Sequence, residues 1–509
     1  MSTTTPTTGE LPPDPVIEGG HVPEHGASRW LVLAIVGLAQ FMVVLDATVV
    51  NVAMPSIQLD LGIKQSNLQW IINSYTLMFG GFLLLGGRAA DLLGRRKLFL
   101  AGVSVFTIAS MVNGFATSGE MLIIARGFQG LGGALVAPAA LSIVTTLFGD
   151  GPDRTKALGV WGAIAAGGSA VGLLAGGVLT EFLSWEWTFF VNIPIGLFTI
   201  VMALRYVPES SYDHGHRSFD LGGAVTVTGG LIALVYSIVQ ANDSGWLAAQ
   251  TLGFFGLAIA LLVSFVIIES RHKAPLVRLG IFRMRSLAVA NSAMLFVTAG
   301  MFAMFFFSSI YLQQVLGYGP LDAGLAFLPV TAAIIIASGA ATKLIGTIGV
   351  KAVTGTGLLL ATIGMTLWTT VGVDSTYVTG VLGPLAVIAF GMGLVFVPAT
   401  LVATTNVEEA DGGLASGIFN TSQQIGGALG LAILSTVAAG ATERSLKDAG
   451  ADAGSKAQQL QSLVDGFHLG YLVAAGFLAV ALIVFVSGIR KQDVAAIESG
   501  EIDMTAMMG

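Results

Sequence analysis

Two ionisable residues stand inside long apolar stretches of the chain: Asp46 in the first stretch and Arg126 in the fourth. Asp46 follows Trp30 by sixteen residues, so a helix rising about 1.5 Å per residue would carry it deep into a bilayer. A charged side chain there costs about 2.5 to 3.5 kcal/mol, which argues for a functional role. A buried carboxyl group can take up a proton and release it when water or a cation approaches. We therefore predict that Asp46 couples the protein to protons.

Each residue also has a structural interpretation. Asp46 could form a helix-to-helix hydrogen bond with Asn51 or a neighbouring hydroxyl group. Arg126 keeps its charge and needs carbonyls, an acid or water as its partner, so it could instead anchor its helix near one end. The sequence leaves both alternatives open.

The composition is that of a polytopic membrane protein. Only 10% of the 509 residues are charged and 54% are hydrophobic, whereas soluble domains carry about 25% charged residues. The absence of cysteine excludes disulfides, thiolate metal sites and cysteine nucleophiles. All six histidines fall in predicted tails, loops or span ends, so we expect no metal, no cofactor and no enzymatic activity. No basic surface cluster remains for nucleic acid.

A membrane span needs about 20 apolar residues, and fourteen stretches of the chain meet that rule. They are Trp30–Val50, Leu68–Arg88, Leu98–Ala116, Met121–Leu141, Ala157–Val178, Thr188–Tyr206, Leu221–Gln240, Thr251–Ile268, Leu287–Leu312, Ala323–Ile345, Ala352–Val371, Tyr377–Thr400, Gly413–Ala439 and Leu469–Ile489. Of the 23 Lys and Arg residues, eighteen fall on one predicted side and four on the other. Because cytoplasmic loops collect Lys and Arg, this bias predicts that both termini are cytoplasmic.

Six, two and six spans give five predicted regions. These are a disordered cytoplasmic tail (1–28), a six-helix bundle (29–207), two additional helices (208–272), a second six-helix bundle (273–489) and a cytoplasmic tail (490–509).

A short basic segment, 86–97, separates the second and third spans. It resembles the loop Gly-x-x-x-Asp-(Arg)-x-Gly-Arg-(Arg/Lys) of major facilitator superfamily transporters, although Leu92 stands where that pattern often has Arg. The resemblance implies an all-α membrane fold of two pseudo-symmetric bundles with a substrate site between them. It also implies a conformational switch, in which Asp91 could bind the N-terminus of the thirteenth span. The matching residues are Gly87, Asp91, Gly94, Arg95 and Arg96.

Further motifs resemble the fourteen-helix drug:proton antiporters of that superfamily. They are the segment 45–55, with Asp46, the Arg-x-x-Gln-Gly sequence at 126–130, and the segment 311–324. The second motif implies that Arg126 takes part in proton coupling by helping to switch the protonation of nearby acids. In the fifth span, Leu173 replaces an expected proline, but glycines recur every four residues and would form one smooth stripe for helix packing. These glycines are Gly168, Gly172 and Gly176.

Several polar residues inside the spans could bind a substrate, although hydrogen bonding between helices is their usual role. The candidates for the substrate cavity are Asn51, Gln129, Tyr311, Gln314 and Asn420. The aromatic and methionine-rich segment 301–307 could line an adaptable pocket or face lipid.

The motifs together predict a proton-coupled exporter of hydrophobic or amphipathic drugs in the cytoplasmic membrane. The sequence has no Gly-x-x-x-x-Gly-Lys-(Ser/Thr) loop for ATP, so the proton gradient is the expected energy source. Expected partners are small substrates, protons and lipids, and we expect a monomer. The alternative is a transporter of the same scaffold for one metabolite, lipid or siderophore.

Overall fold

The computed structural model describes residues 28–148, 152–210, 220–272, 275–405, 407, 412–450 and 454–498. Within these residues, fourteen helices are long and apolar enough to cross a membrane, as predicted. The main α-helices of these fourteen spans are α1 (Arg29–Leu61), α2 (Trp70–Leu93), α3 (Arg95–Gly114), α4 (Gly119–Leu147), α5 (Pro152–Phe182), α6 (Asn192–Tyr206, within a span that begins at Trp187), α7 (Leu221–Ser244), α8 (Ala249–Arg271), α9 (Arg285–Ile310), α10 (Leu328–Ile348), α11 (Val350–Leu367), α12 (Leu382–Thr404), α13 (Gly412–Asp448) and α14 (Lys456–Gly488).

The first helix is longer than predicted. Its N-terminus is capped by Ser28, whose side chain accepts a hydrogen bond from the Trp30 N–H, a common way to satisfy the free amides of a first turn. It continues past Val50 and through Pro55, and ends at Gly62 with φ +60°. A transmembrane helix tolerates proline where neighbouring groups satisfy the freed carbonyl, so the apolar pattern alone placed this end too early.

The helices form two bundles with the same internal pairing. In the first bundle, α2 and α3 pack against α4, and α1 packs against α5. In the second bundle, α10 and α11 pack against α12, and α9 packs against α13. The recurrence of these pairs at equivalent positions is the arrangement expected of two related six-helix repeats.

The additional helices lie beside the seam between the bundles. Helix α7 contacts both α2 and α13, and α8 packs along α7. Leu77 of the first bundle, Val235 of α7 and Ala428 of the second bundle belong to one buried apolar cluster. Helix α7 therefore bridges the two bundles on one side of the molecule.

One end of the molecule, which we call the basic end, carries the arginines that hold helix termini together. Arg29 pairs with Asp153, and Arg285 donates to the Gly488 carbonyl. Arg95 donates to Thr146, and Arg96 donates to the Leu204 carbonyl. These contacts tie the start of a helix to the start or end of its neighbours.

The structure describes more of the predicted C-terminal tail than of the predicted N-terminal tail. The predicted tail 490–509 begins with a short helix, Lys491–Glu498, whose Val494 and Ile497 side chains are buried. Residues 499–509 and the predicted disordered segment 1–27 lie outside the described residues.

The turn between α2 and α3 is closed by a glutamate from a distant part of the chain. Gly94 has φ +103°, a conformation that favours glycine. Directly after it, the N–H groups of Arg96 and Lys97 donate to the two carboxylate oxygens of Glu209, at 3.1 and 3.2 Å. A carboxylate at a helix N-terminus satisfies free amides and complements the helix dipole.

Glu209→Ala is therefore expected to lower the free energy of unfolding by about 1 kcal/mol, because the first turn of α3 loses its acceptor. Thermal unfolding of the detergent-solubilised protein measures the effect. Glu443→Ala is the matched control, since Glu443 pairs with exposed Lys447 on its own helix, an interaction worth a few tenths of a kcal/mol. Equal melting temperatures for the two variants would contradict the capping role.

Candidate functional site

Asp46 and Arg126 form a buried ion pair inside the first bundle. Asp46, on α1, is 0% exposed and Arg126, on α4, is 2% exposed. The Arg126 Nη1 atom lies 2.5 Å from Asp46 Oδ2. The structure thus brings together the two residues that the sequence singled out, although their positions are eighty residues apart.

Amide and hydroxyl groups complete this pair. Gln129 Nε2 donates to Asp46 Oδ1 at 2.7 Å, and Asn192 Nδ2 donates to the same oxygen at 2.9 Å. Gln129 also donates to Ser110 Oγ at 2.6 Å, and its own Oε1 accepts from Arg126 at 2.7 Å. Four helices therefore contribute to one connected network, α1, α3, α4 and α6. Hydrogen bonds in such a low-dielectric site are strong when every partner is satisfied.

Arg126 has partners besides Asp46. Its Nε atom donates to the Ile71 carbonyl at 3.2 Å, and its guanidinium lies 4.4 Å from the centre of the Tyr75 ring. The Phe189 ring lies 5.8 Å away. These contacts would hold the guanidinium in place if the charge on Asp46 were neutralised, because a cation–π contact and a carbonyl need no counter-ion.

The glycines of α5 let that helix press closely against α1 beside Asp46. A Cβ atom built on Gly172 would lie 1.9 Å from Thr48 Oγ1 and 2.9 Å from the Leu45 carbonyl. At Gly176 it would lie 2.7 Å from the Val49 carbonyl, and at Gly168 3.2 Å from Val44. The predicted stripe is thus a packing surface for the segment of α1 that carries the acid.

A cavity of about 1220 Å³ lies between the two bundles. Arg88, Arg154 and Arg278 line it at the basic end, and Tyr75 and Arg126 line its deep part. Asp46 is fully buried just behind Arg126. The arginine of the ion pair therefore lines the cavity, whereas its acid does not.

The opposite end of the molecule is closed by contacts of α1 with the last turn of α9 and with the segment that follows it. Ser309 Oγ donates to the Asn51 carbonyl at 2.6 Å, and Gln313 Nε2 donates to the Val52 carbonyl at 2.9 Å. Close to this level, a Cβ on Gly177 of α5 would lie 2.8 Å from the Pro320 carbonyl. The bundles thus meet here and part towards the basic end.

The predicted cavity residues divide into two groups. Asn51 and Asn420 line the cavity. Gln129 belongs instead to the Asp46 network. Tyr311 is 0% exposed and donates to the Gly372 carbonyl within the second bundle, and Gln314 donates to Gln58 at the closed end. A polar residue in an apolar helix does not reveal which face it occupies until the neighbouring helices are known.

The segment 301–307 also divides between two environments. Met301, Phe302 and Phe305 line the cavity, whereas Phe306 and Phe307 are buried in the second bundle. One face of α9 therefore supplies the apolar wall of the cavity, as the periodicity of a helix requires.

The predicted switch residues lie towards the basic end of the first bundle. Gly87 lines the cavity, and the side chains of Arg95 and Arg96 reach α4 and α6. Helix α2 meets α13, where Thr421 Oγ1 donates to the Gly80 carbonyl at 3.3 Å. The Asp91 side chain lies outside the described part of the structure, so its contact with the thirteenth span stays a prediction.

Two network residues were missed by sequence reasoning, Ser110 and Asn192. Asn192 is a polar residue inside the predicted sixth span, Thr188–Tyr206, but nothing in its spacing links it to Asp46. Within the described residues, no cluster of three or more His, Asp or Glu side chains could hold a metal ion.

A buried acid–arginine pair beside a cavity between two six-helix bundles agrees with the comparison to known families. The family model described as Major Facilitator Superfamily matches residues 36–431. The chain belongs to the major facilitator superfamily. Members of this superfamily are transporters, and the resemblance drawn from the loop 86–97 is confirmed.

Several curated relatives of this protein are named for drug resistance and export. It is 39% identical to the puromycin resistance protein of Streptomyces alboniger, over 94% of each chain. It is 40% identical to a cephamycin export protein of Amycolatopsis lactamdurans, over 82% of this chain and 86% of that one. A multidrug resistance protein of Mycobacterium tuberculosis is 35% identical, over 81% and 76%.

Solved structures share the fold at low sequence identity. A bacterial homologue of the human lysosomal transporter Spinster, solved in an inward-facing and unoccupied conformation, has a TM-score of 0.64 and 17% identity. The match covers 91% of this chain and 98% of that chain. The human organic anion transporter MFSD10 has a TM-score of 0.59 and 14% identity, over 90% and 100%. These similarities concern the fold alone.

Proposed function

We propose that this protein exports hydrophobic or amphipathic compounds, antibiotics among them, in exchange for protons. The observation that carries the proposal is the Asp46–Arg126 pair, buried at the wall of the cavity between the bundles. A charge pair in an apolar bundle is costly unless it serves a function. The names of the relatives, which include puromycin resistance and cephamycin export, support drugs as the cargo.

The geometry suggests how a proton would act. Uptake of a proton by Asp46 would remove the negative charge that holds Arg126 Nη1, leaving the arginine to the Ile71 carbonyl, Gln129 and Tyr75. Four helices meet at this network, so a change in its bonding would alter their packing together. The two bundles would then rock between two states. Such rocking gives alternating access in transporters built from repeats.

The orientation follows from the distribution of charge. With its Lys and Arg excess in the cytoplasm, the basic end faces inward and the cavity is open to the cytoplasm, so that both termini are cytoplasmic. Protons then enter from the closed, outer end down their gradient. One charge moving through about 100 mV supplies roughly 2.3 kcal/mol.

The lining of the cavity supports an amphipathic cargo. Phe302 and Phe305 of α9 form an apolar wall, and Thr48, Asn51 and Asn420 present polar groups to the same space. Aromatic and methionine side chains adapt to cargoes of different shape.

Phe302→Ala is expected to raise the half-saturating concentration of ethidium about tenfold, because removal of a ring from an apolar wall costs on the order of 1 to 2 kcal/mol of binding. Dye-binding fluorescence with purified protein measures this. Phe198→Ala is the matched control, because Phe198 is 53% exposed on α6 and is not part of the cavity lining. Equal affinities for the two variants would place the drug site elsewhere.

The function itself is tested with ethidium in proteoliposomes. With an imposed pH difference and the membrane potential clamped, we expect dye accumulation that collapses when an ionophore dissipates the pH difference. Counterflow of the dye without any gradient should persist, because it needs only binding and alternating access. Equal accumulation with and without the pH difference would remove the antiport proposal, and absence of counterflow would remove ethidium as a cargo.

A further inference from the structure

Two buried acids lie next to each other at the basic end of the additional helices. They are far along the chain from Asp46. Asp220 precedes α7 and is 2% exposed, and Glu269 lies in the last turn of α8 and is 4% exposed. Neither residue was singled out from the sequence. Carboxylates this buried are rarely found without a charged partner.

Each acid uses one oxygen to bind backbone and leaves the other without a hydrogen-bond partner. Asp220 Oδ1 accepts from the Gly223 N–H at 2.6 Å and caps α7. Glu269 Oε2 accepts from the Val277 N–H at 3.1 Å. Among the described residues, Asp220 Oδ2 and Glu269 Oε1 are buried without a hydrogen-bond partner. A buried polar atom with no partner costs about 1 to 3 kcal/mol, and more if it is charged.

The two carboxyl groups occupy one small space. A Cβ atom built on Gly223 would lie 2.7 Å from Glu269 Oε1 and 3.0 Å from Asp220 Oδ1, so both groups border the same point. The charged or titratable described groups near enough to act on Glu269 are Asp220 and His272. His272 Nδ1 lies 3.8 Å from Asp220 Oδ2, too far for a hydrogen bond.

We propose that Asp220 and Glu269 form a second proton-binding site, in which one proton is shared between the two carboxyl groups. Two carboxylates held this closely repel each other, and one proton converts the repulsion into an O–H···O bond. The proton satisfies an oxygen that otherwise has no partner. Glu269 binds it on the oxygen that Val277 does not use.

The site is connected to the entrance of the cavity. Val277 belongs to the loop that joins α8 to α9, and its neighbours Leu276 and Arg278 line the cavity at the basic end. With the proton bound, Glu269 is drawn towards Asp220 while it still holds the Val277 N–H. Without the proton, repulsion between the carboxylates pushes Glu269 and the attached loop away from α7. The protonation of this pair therefore sets the position of one wall of the entrance.

Infrared spectroscopy of the purified full-length protein tests the proposal without any transport assay. At neutral pH we expect a carbonyl stretching band of a protonated carboxylic acid that is lost in Glu269→Gln. In Asp220→Asn the band should shift in frequency or be lost, because the proton no longer has a second carboxyl group to share it. Both substitutions keep the acceptor oxygens for Val277 and Gly223, and Asn caps a helix as well as Asp does.

Asp465→Asn is the matched control, since both Asp465 oxygens already accept hydrogen bonds, from Ser445 at 2.7 Å and Gln461 at 2.9 Å. It should leave the carboxylic acid band unchanged, as should Asp46→Asn. A band that is retained in Glu269→Gln, or one that is neither shifted nor lost in Asp220→Asn, would overturn the proposal. Because no cargo is involved, this result is independent of whether the protein exports drugs.

Discussion

Asp46→Asn is expected to abolish accumulation driven by a pH gradient while leaving the protein folded. The asparagine amide oxygen can still accept from Arg126, which also keeps its bonds to Gln129 and the Ile71 carbonyl. What is lost is the group that takes up the proton. Exchange of one proton across a difference of about two pH units supports roughly a 100-fold accumulation. The variant should show none.

Ethidium accumulation in proteoliposomes with the potential clamped measures this difference. Counterflow in the same vesicles checks that the variant still binds and moves the dye. Asp60→Asn is a matched control, because Asp60 lies on the same helix but accepts its hydrogen bond from Trp185 at the closed end. Gradient-driven accumulation that survives in Asp46→Asn would rule out Asp46 as the coupling residue.

Arg126→Ala is expected to lower the free energy of unfolding by about 3 to 5 kcal/mol, because it leaves Asp46 buried without a counter-ion. The amides of Gln129 and Asn192 still donate to that carboxylate, but they do not cancel its charge. Lowering the pH lets Asp46 take up a proton, which should recover part of the lost stability. Denaturant or thermal unfolding in detergent measures both effects.

Two further variants separate charge from packing. Arg126→Lys keeps the charge but not the planar fork that reaches Asp46, Gln129 and the Ile71 carbonyl, so its loss of stability should be smaller but measurable. In the double variant Asp46→Asn/Arg126→Ala no charge is left unpaired, so it should be more stable than Arg126→Ala alone, which would reveal coupling between the two sites. Simple addition of the single effects would contradict the ion pair.

The residues that sequence reasoning found share one property, which is that they stand out from the sequence around them. Asp46 and Arg126 are charges in apolar stretches, and the glycines of α5 recur at the helical period. Glu209 and Asn192 do not stand out in this way. Glu209 lies in a polar segment, and Asn192 lies at the start of a span. Their roles as helix cap and as hydrogen-bond donor depend on contacts with residues 113 and 146 positions away.

The number of membrane helices and the identity of the central acid and arginine were determined by the amino-acid sequence alone. The reason is that a bilayer accepts only long apolar helices and penalises each buried charge, and both effects act on local stretches of chain. Tertiary structure alone decided that Asp46 and Arg126 pair with each other, that Gln129, Tyr311 and Gln314 turn away from the cavity, and that Asp220 meets Glu269. Which face of a helix meets which neighbour is settled by close packing among all fourteen helices, and no single stretch of sequence contains that information.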